Sequence, residues 1–252
     1  MQQILLFGKD DKFFPWCDGF EIKGNGSIDF SVSGINKLQI QEGKDINWMN
    51  LIDSQLHNLA SKEEIIDLKS RSGGYPFAFY DKYISSLWKK LETYCNPKST
   101  PERDFFNLYC DLCCRDVHGG ALLPALIPHV YLNWDFSKRS EEERANRKKP
   151  CIVDFIFKSS AFGTNDIVVV EIDGQSHYAR YDDTKRPKYE LSEDVYAEHL
   201  KKDRWLRKQG FKVFRIGNSE IKTITSSPEK DKLDIFQDFF TEVFGEIVFI
   251  AR

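Results

Sequence analysis

No stretch of this 252-residue chain stays apolar for the roughly 18–20 residues that a membrane span requires, so a helical membrane protein is excluded. The first ten residues lack a basic start and meet charge too early for a secretory signal, so a cytoplasmic protein is expected. An excess of positive charge is missing as well. The net charge of −3 excludes a dedicated nonspecific coat for DNA. It does not exclude an enzyme acting on nucleic acid, which is only locally basic and also holds cations with carboxylates. No internal repeat is present, which excludes a solenoid array. Cys110-x-x-Cys113-Cys114 has no second Cys-x-x-Cys or His-x-x-x-His to complete a zinc site. Cys110 and Cys113 are therefore expected to be small buried residues of a helix. Thiol-like cysteines also fit a reducing compartment.

What is present is a soluble globular composition, 41% hydrophobic and 30% charged, long enough for one large domain or two modest ones. The turn-forming stretch Asn96-Pro97-Lys98-Ser99 suggests a joint between residues 1–95 and 96–252. The first part is aromatic-rich. Gly24-Asn25-Gly26 and Ser33-Gly34 punctuate short apolar stretches of strand type. Residues 54–69 and 80–94 read as helices around a loop at 71–76. No catalytic motif occurs in this accessory region. Binding a protein partner, selecting substrate and bracing the second part all stay open for it.

The second part is more legible. Thr100-Pro101-Glu102 opens a helix running to about Arg115. Residues 129–134, 151–157 and 166–174 read as strands, with a charged insertion at 137–149. A polar loop leads to a helix over about 192–209, stopped by Gly210, then a strand at 212–216. A last helix opens at Ser227-Pro228-Glu229, with Ile235, Phe236, Phe239, Phe240 and Phe244 on its apolar face.

Asp154 interrupts an otherwise apolar strand, and Glu171 and Asp173 close another. Residues i and i+2 of a strand share a face, so Glu171 and Asp173 are expected to point the same way. Three carboxylates at strand ends repel one another and lose hydration unless positive charge sits among them. A hard divalent ion, Mg²⁺ or Mn²⁺, meets that need with a few carboxylates plus water. Such an ion activates water and stabilises charge on a phosphodiester.

Val153-Asp154-Phe155, Glu171-Ile172-Asp173-Gly174-x-x-His177 and Lys202-Asp203-Arg204-Trp205-Leu206-x-x-x-Gly210-Phe211-x-Val213-x-Arg215-Ile216 occur in that order. The set, spanning about residues 100–216, resembles the Vsr-like branch of the PD-(D/E)XK, or restriction-endonuclease-like, nuclease superfamily. The resemblance implies an α/β (α+β) fold with an αβββαβ core. It also implies a phosphodiesterase with Asp154 and Glu171 as metal ligands, and Glu102 matches a first-helix glutamate found in many members. One departure stands out: the lysine expected two residues after the glutamate is Asp173. Some relatives with this E-x-D-G form remain nucleases, so loss of activity does not follow.

Helix geometry adds detail. At about 100° per residue, Glu102 falls within the arc of Phe105, Phe106, Tyr109, Leu112 and Cys113, so it should point inward. In the later helix, Val195, Tyr196, Leu200 and Leu206 form the apolar arc, with His199 and Asp203 in its middle and Lys202 at its edge. Lys201, Arg204 and Lys208 point outward. Lys202 is thus the candidate to replace the missing lysine. His199 and Asp203 read either as partners of a metal site or as an internal i, i+4 pair. Gln175 and His177 are candidates to orient water or assist proton transfer, and a loop hydrogen bond is the bland alternative for His177.

Arg180, Lys185, Arg186 and Lys188 lie beside Tyr178, Tyr181 and Tyr189, a mixture suited to a nucleic-acid backbone. Asp182 and Asp183 in the same segment also suit a merely solvated loop. Arg215 would hold a phosphate or pair with an acid. The expected function is hydrolysis of nucleic acid, DNA before RNA, in restriction, repair or phage defence. The alternatives are a degenerate nuclease fold that binds without cutting and an interaction subunit of a larger complex.

Overall fold

The computed structural model describes residues 3–8, 17–22, 28–32, 36–40, 45–59, 77–115, 120–132, 151–158 and 167–245, with 61, 63–64 and 66–67 besides. The expected loop at 71–76 and the charged insertion at 137–149 lie outside them. Strands β1 (Gln3–Phe7), β2 (Cys17–Ile22), β3 (Ile28–Val32) and β4 (Asn36–Ile40) precede helices α1 (Trp48–Leu59) and α2 (Phe77–Glu92). Next come α3 (Thr100–Cys113), β5 (Ile127–Leu132), β6 (Cys151–Lys158) and β7 (Ile167–Asp173). A 3₁₀ turn at Gln175–His177 leads into the hairpin β8 (Ala179–Tyr181) and β9 (Tyr189–Leu191). The chain closes with α4 (Glu193–Lys208), β10 (Lys212–Gly217), α5 (Asn218–Thr225) and α6 (Glu229–Phe244).

The fold is mixed α/β. One six-stranded sheet has the order β10-β7-β6-β5-β1-β4. Only the β10–β7 pair in it is parallel. The sheet continues across the joint suggested at 96–99, because β1 pairs with β5 and β4 with β1. β7 sits between β10 and β6, and Ile167 to Ile172 are all buried, which is why it reads as an unbroken apolar run. Aromatic rings fill the layer under the sheet. Phe105 and Phe106 of α3 meet Phe155 of β6, and Phe240 of α6 stacks on Tyr109 and meets Phe157. Trp48 joins Trp88 and Tyr109, so α1 and α2 share this core. Cys110 and Cys113 are buried in α3, as their spacing suggested.

Local signals explain the ends of the helices. Ser99, one residue before the expected cap, starts α3 by accepting from the Glu102 amide. Ser192 starts α4, acids fill its first turn and Arg207 and Lys208 its last. Gly210, at φ +91°, takes the left-handed conformation that ends it.

Two features differ from the sequence reading. The loop after β7 contains the β8–β9 hairpin, and α5 follows β10 directly. α4 also turns a different face inward. Leu206 is buried and His199, Lys202 and Asp203 are half-buried, but Tyr196 and Leu200 are exposed. The covered face is the one that carries Val195, His199, Lys202 and Leu206.

Candidate functional site

The β6–β7 ladder ends at Phe155↔Val170. One step further, where Asp154 would face Glu171, an Asp154 carboxylate oxygen accepts the Ile172 amide at 2.7 Å. The side chain thus replaces a ladder bond. Glu171 is 1% exposed and faces the Lys202 ammonium, whose Nζ donates to both carboxylate oxygens at 2.7 and 2.8 Å. α4 therefore delivers the lysine to the glutamate. Glu102 is buried at the start of α3, where its carboxylate accepts the Asn96 amide at 3.0 Å.

These acids raise one another's pKa. Burial and then Asp154 push Glu171 up to about 7, although Lys202 opposes them. Burial and then Glu102 push Asp154 to about 6, against Lys202 and the Ile172 amide. Burial raises Glu102 too, with Glu171 adding to it. An ion pair at 2.7 Å does not outweigh the loss of hydration here.

Asp173 belongs to a second network. Its two oxygens accept from the Arg215 guanidinium at 2.8 and 3.0 Å, and His177 Nδ1 stands 2.8 Å from one of them. Burial alone would raise its pKa, but these partners hold it below the ordinary value. Asp173, with Asp154 and Glu171 behind it, keeps His177 above its ordinary pKa despite burial. Asp203 pairs with Arg207 and Arg215. His199 is not its partner: its ring lies against His177, with centroids 4.3 Å apart. Burial, and then the charge on His177, press His199 down to about 4.

Gln175 occupies the exposed 3₁₀ turn. The four basic residues beyond it are committed locally. Arg180 pairs with Asp194, Lys185 with Glu190 and Asp182, and Lys188 with Asp183. Arg186 donates to the Asp183 and Lys185 carbonyls.

Asn218, which opens α5, was not singled out by the sequence. A Cβ on residue 174 would stand 2.6 Å from its Nδ2, so any larger residue there would push the Asn218 side chain aside. Gly174 at the end of the strand was the sole local hint. Asn218 Oδ1, His199 Nδ1 and one terminal nitrogen of Arg215 are buried without hydrogen-bond partners. Among the described residues, no three His, Cys, Asp or Glu side chains gather closely enough to hold a metal ion by themselves. No described helix is long and apolar enough to cross a membrane. Comparison of the chain with protein-family models, curated proteins and solved structures finds no match in any of the three.

Proposed function

We propose that the chain is a metal-dependent nuclease that hydrolyses phosphodiester bonds, DNA being the first substrate to test. One observation carries the reading. Asp154 and buried Glu171 stand side by side at one end of the β6–β7 pair, buried Glu102 lies within electrostatic reach of them, and the Lys202 ammonium is bonded to Glu171. The local excess of negative charge suits a cation.

Asp154 and Glu171 fit Mg²⁺ or Mn²⁺, since a magnesium site needs only one or two carboxylates with water completing its shell. Asp173 is bonded by Arg215 through both oxygens, as Glu171 is by Lys202, so either acid would have to release its cation partner to hold a metal. When bound, the ion would lower the pKa of a water and neutralise charge on the phosphate. Lys202 holds Glu171 and offers its ammonium beside the reacting phosphate. His177, whose pKa Asp173 raises, stands at the same edge as a candidate to exchange a proton. Incubation with labelled single- and double-stranded DNA and RNA, under Mg²⁺, Mn²⁺ or EDTA, tests the reading. Cleavage with metal and none with EDTA is the expected result. Cleavage that persists in EDTA defeats it.

Lys202→Ala should lower turnover about 10- to 100-fold and shift affinity less, because the charge acts on the transition state. Lys201, paired outward with Glu198, is the control. Lys201→Ala should change only binding and its salt dependence. Parent-rate cleavage by Lys202→Ala at saturating substrate removes the lysine from the reaction.

A second reading is a nuclease-like fold that binds nucleic acid without cutting. Lys202 favours it by closing both oxygens of Glu171. Tight binding with no cleavage under any metal selects that reading.

A further inference from the structure

The β8–β9 hairpin carries its polar and apolar side chains on opposite faces. Cross-strand pairing sets Arg180 against Glu190 on one face, and Tyr181 against Tyr189 and Ala179 against Leu191 on the other. Ala179 is buried at the hairpin root, yet Tyr181 is 55%, Tyr189 38% and Leu191 80% exposed. The two tyrosine rings meet edge to face with centroids 5.3 Å apart, and both remain substantially exposed. The hairpin's cations pair with exposed acids where they stand.

We infer that this face is a stacking platform for unpaired bases, and that the nucleic acid the protein takes is single-stranded. The inference rests on the nucleic-acid reading above and names its substrate class. A duplex hides its bases and would offer this face mainly phosphates. A single strand offers base faces, and every base has one. Lys188 lies over the Tyr181 ring, its Nζ 5.9 Å from the centre, and Lys185 pairs with Glu190 of the other face. Their pairs with exposed acids are weak and can exchange a carboxylate for a phosphate between stacked bases. The platform is also continuous with the candidate site. The chain reaches it from Asp173 through Gln175–His177 and leaves it into α4, which carries Lys202. The Ser192 amide bonds the Tyr178 carbonyl at 2.9 Å and ties the two ends together.

The test measures anisotropy of labelled oligomers of about 12 nucleotides, in EDTA, on the full chain. The probes are a base-bearing single strand, an abasic strand of equal charge and a duplex. The base-bearing strand should bind at least about tenfold more tightly than the abasic one. Tyr189→Ala should weaken that binding about five- to a hundredfold, and Tyr189→Phe should restore it, with both variants keeping the parent's circular dichroism. Equal affinity for the abasic strand overturns the proposal, as does an unchanged Tyr189→Ala. So does self-association that Leu191→Asp disperses while strand binding is absent, since a second copy then covers the face. Metal-dependent duplex cleavage that Tyr189→Ala leaves intact removes the platform and keeps the nuclease. Base-dependent strand binding with no cleavage under any metal keeps the platform and removes the nuclease.

Discussion

Asp154→Asn and Glu171→Ala should each reduce metal-dependent cleavage by more than about a hundredfold and leave the chain folded. Removing even an outer-shell partner of a metal ligand costs about 10- to 100-fold, so loss of a ligand exceeds that. The choice of Asn matters. Asp154 accepts the Ile172 amide, so Asp154→Ala would orphan that donor at a cost of about 1–3 kcal/mol. Asp154→Asn keeps an oxygen for the amide while losing the charge. Glu171→Ala frees Lys202, whose side chain is 23% exposed and can hydrate, and relieves repulsion on Asp154. Turnover under Mg²⁺, with thermal melting as the fold control, checks both variants. Near-parent turnover in either would show that the carboxylates are structural.

The second large effect is a pH-dependent stability that metal reverses. Glu171 titrates at about 7 in the folded chain against 4.5 ordinarily. The folded state therefore keeps a proton that the unfolded chain releases, and metal-free stability falls as pH rises from about 4.5 to 7. Asp154 acts in the same sense between 3.8 and about 6. His177, raised above 6.5, loses its contribution as pH rises through its folded value. His199 opposes them between about 4 and 6.5, because the fold prefers it neutral. The clean readout is thus the difference between the parent and Glu171→Gln. Without metal the parent's melting temperature should drop relative to the variant across that window. Mg²⁺ binds the ionised acids, so the melting-temperature gain it gives the parent should grow with pH. Parallel curves for the two proteins, with no effect of Mg²⁺, would contradict the raised acid and its affinity for a cation.

Much of the site could be read locally because its parts lie close in the chain. The run from Glu171 to His177 carries two acids and a histidine within one strand end and one turn. The capping serine and Gly210 bracket α4, and the inward bearing of Glu102 follows from its spacing to Phe105, Phe106 and Tyr109. The sequence reading was weaker wherever a partner came from far away. It counted Asp173 with the metal ligands from strand parity alone. The parallel register Arg215↔Glu171 instead brings in a guanidinium 42 residues distant, which takes both Asp173 oxygens. The basic residues of the hairpin read either as phosphate contacts or as part of a solvated loop, and the structure sets acids beside Arg180, Lys185 and Lys188.

The sequence by itself determined the order of helices and strands in the second part apart from the β8–β9 hairpin and α5, the acids at the strand ends and the inward glutamate of α3. Those features depend on hydrophobic period and capping within one or two turns of chain. Only the tertiary structure decided which cation meets which acid, which face of α4 is covered, and that β1 and β4 complete the sheet. Those outcomes depend on strand register and on how far the sheet extends beneath a helix. A one-residue change of register would present a different set of side chains to the same neighbours.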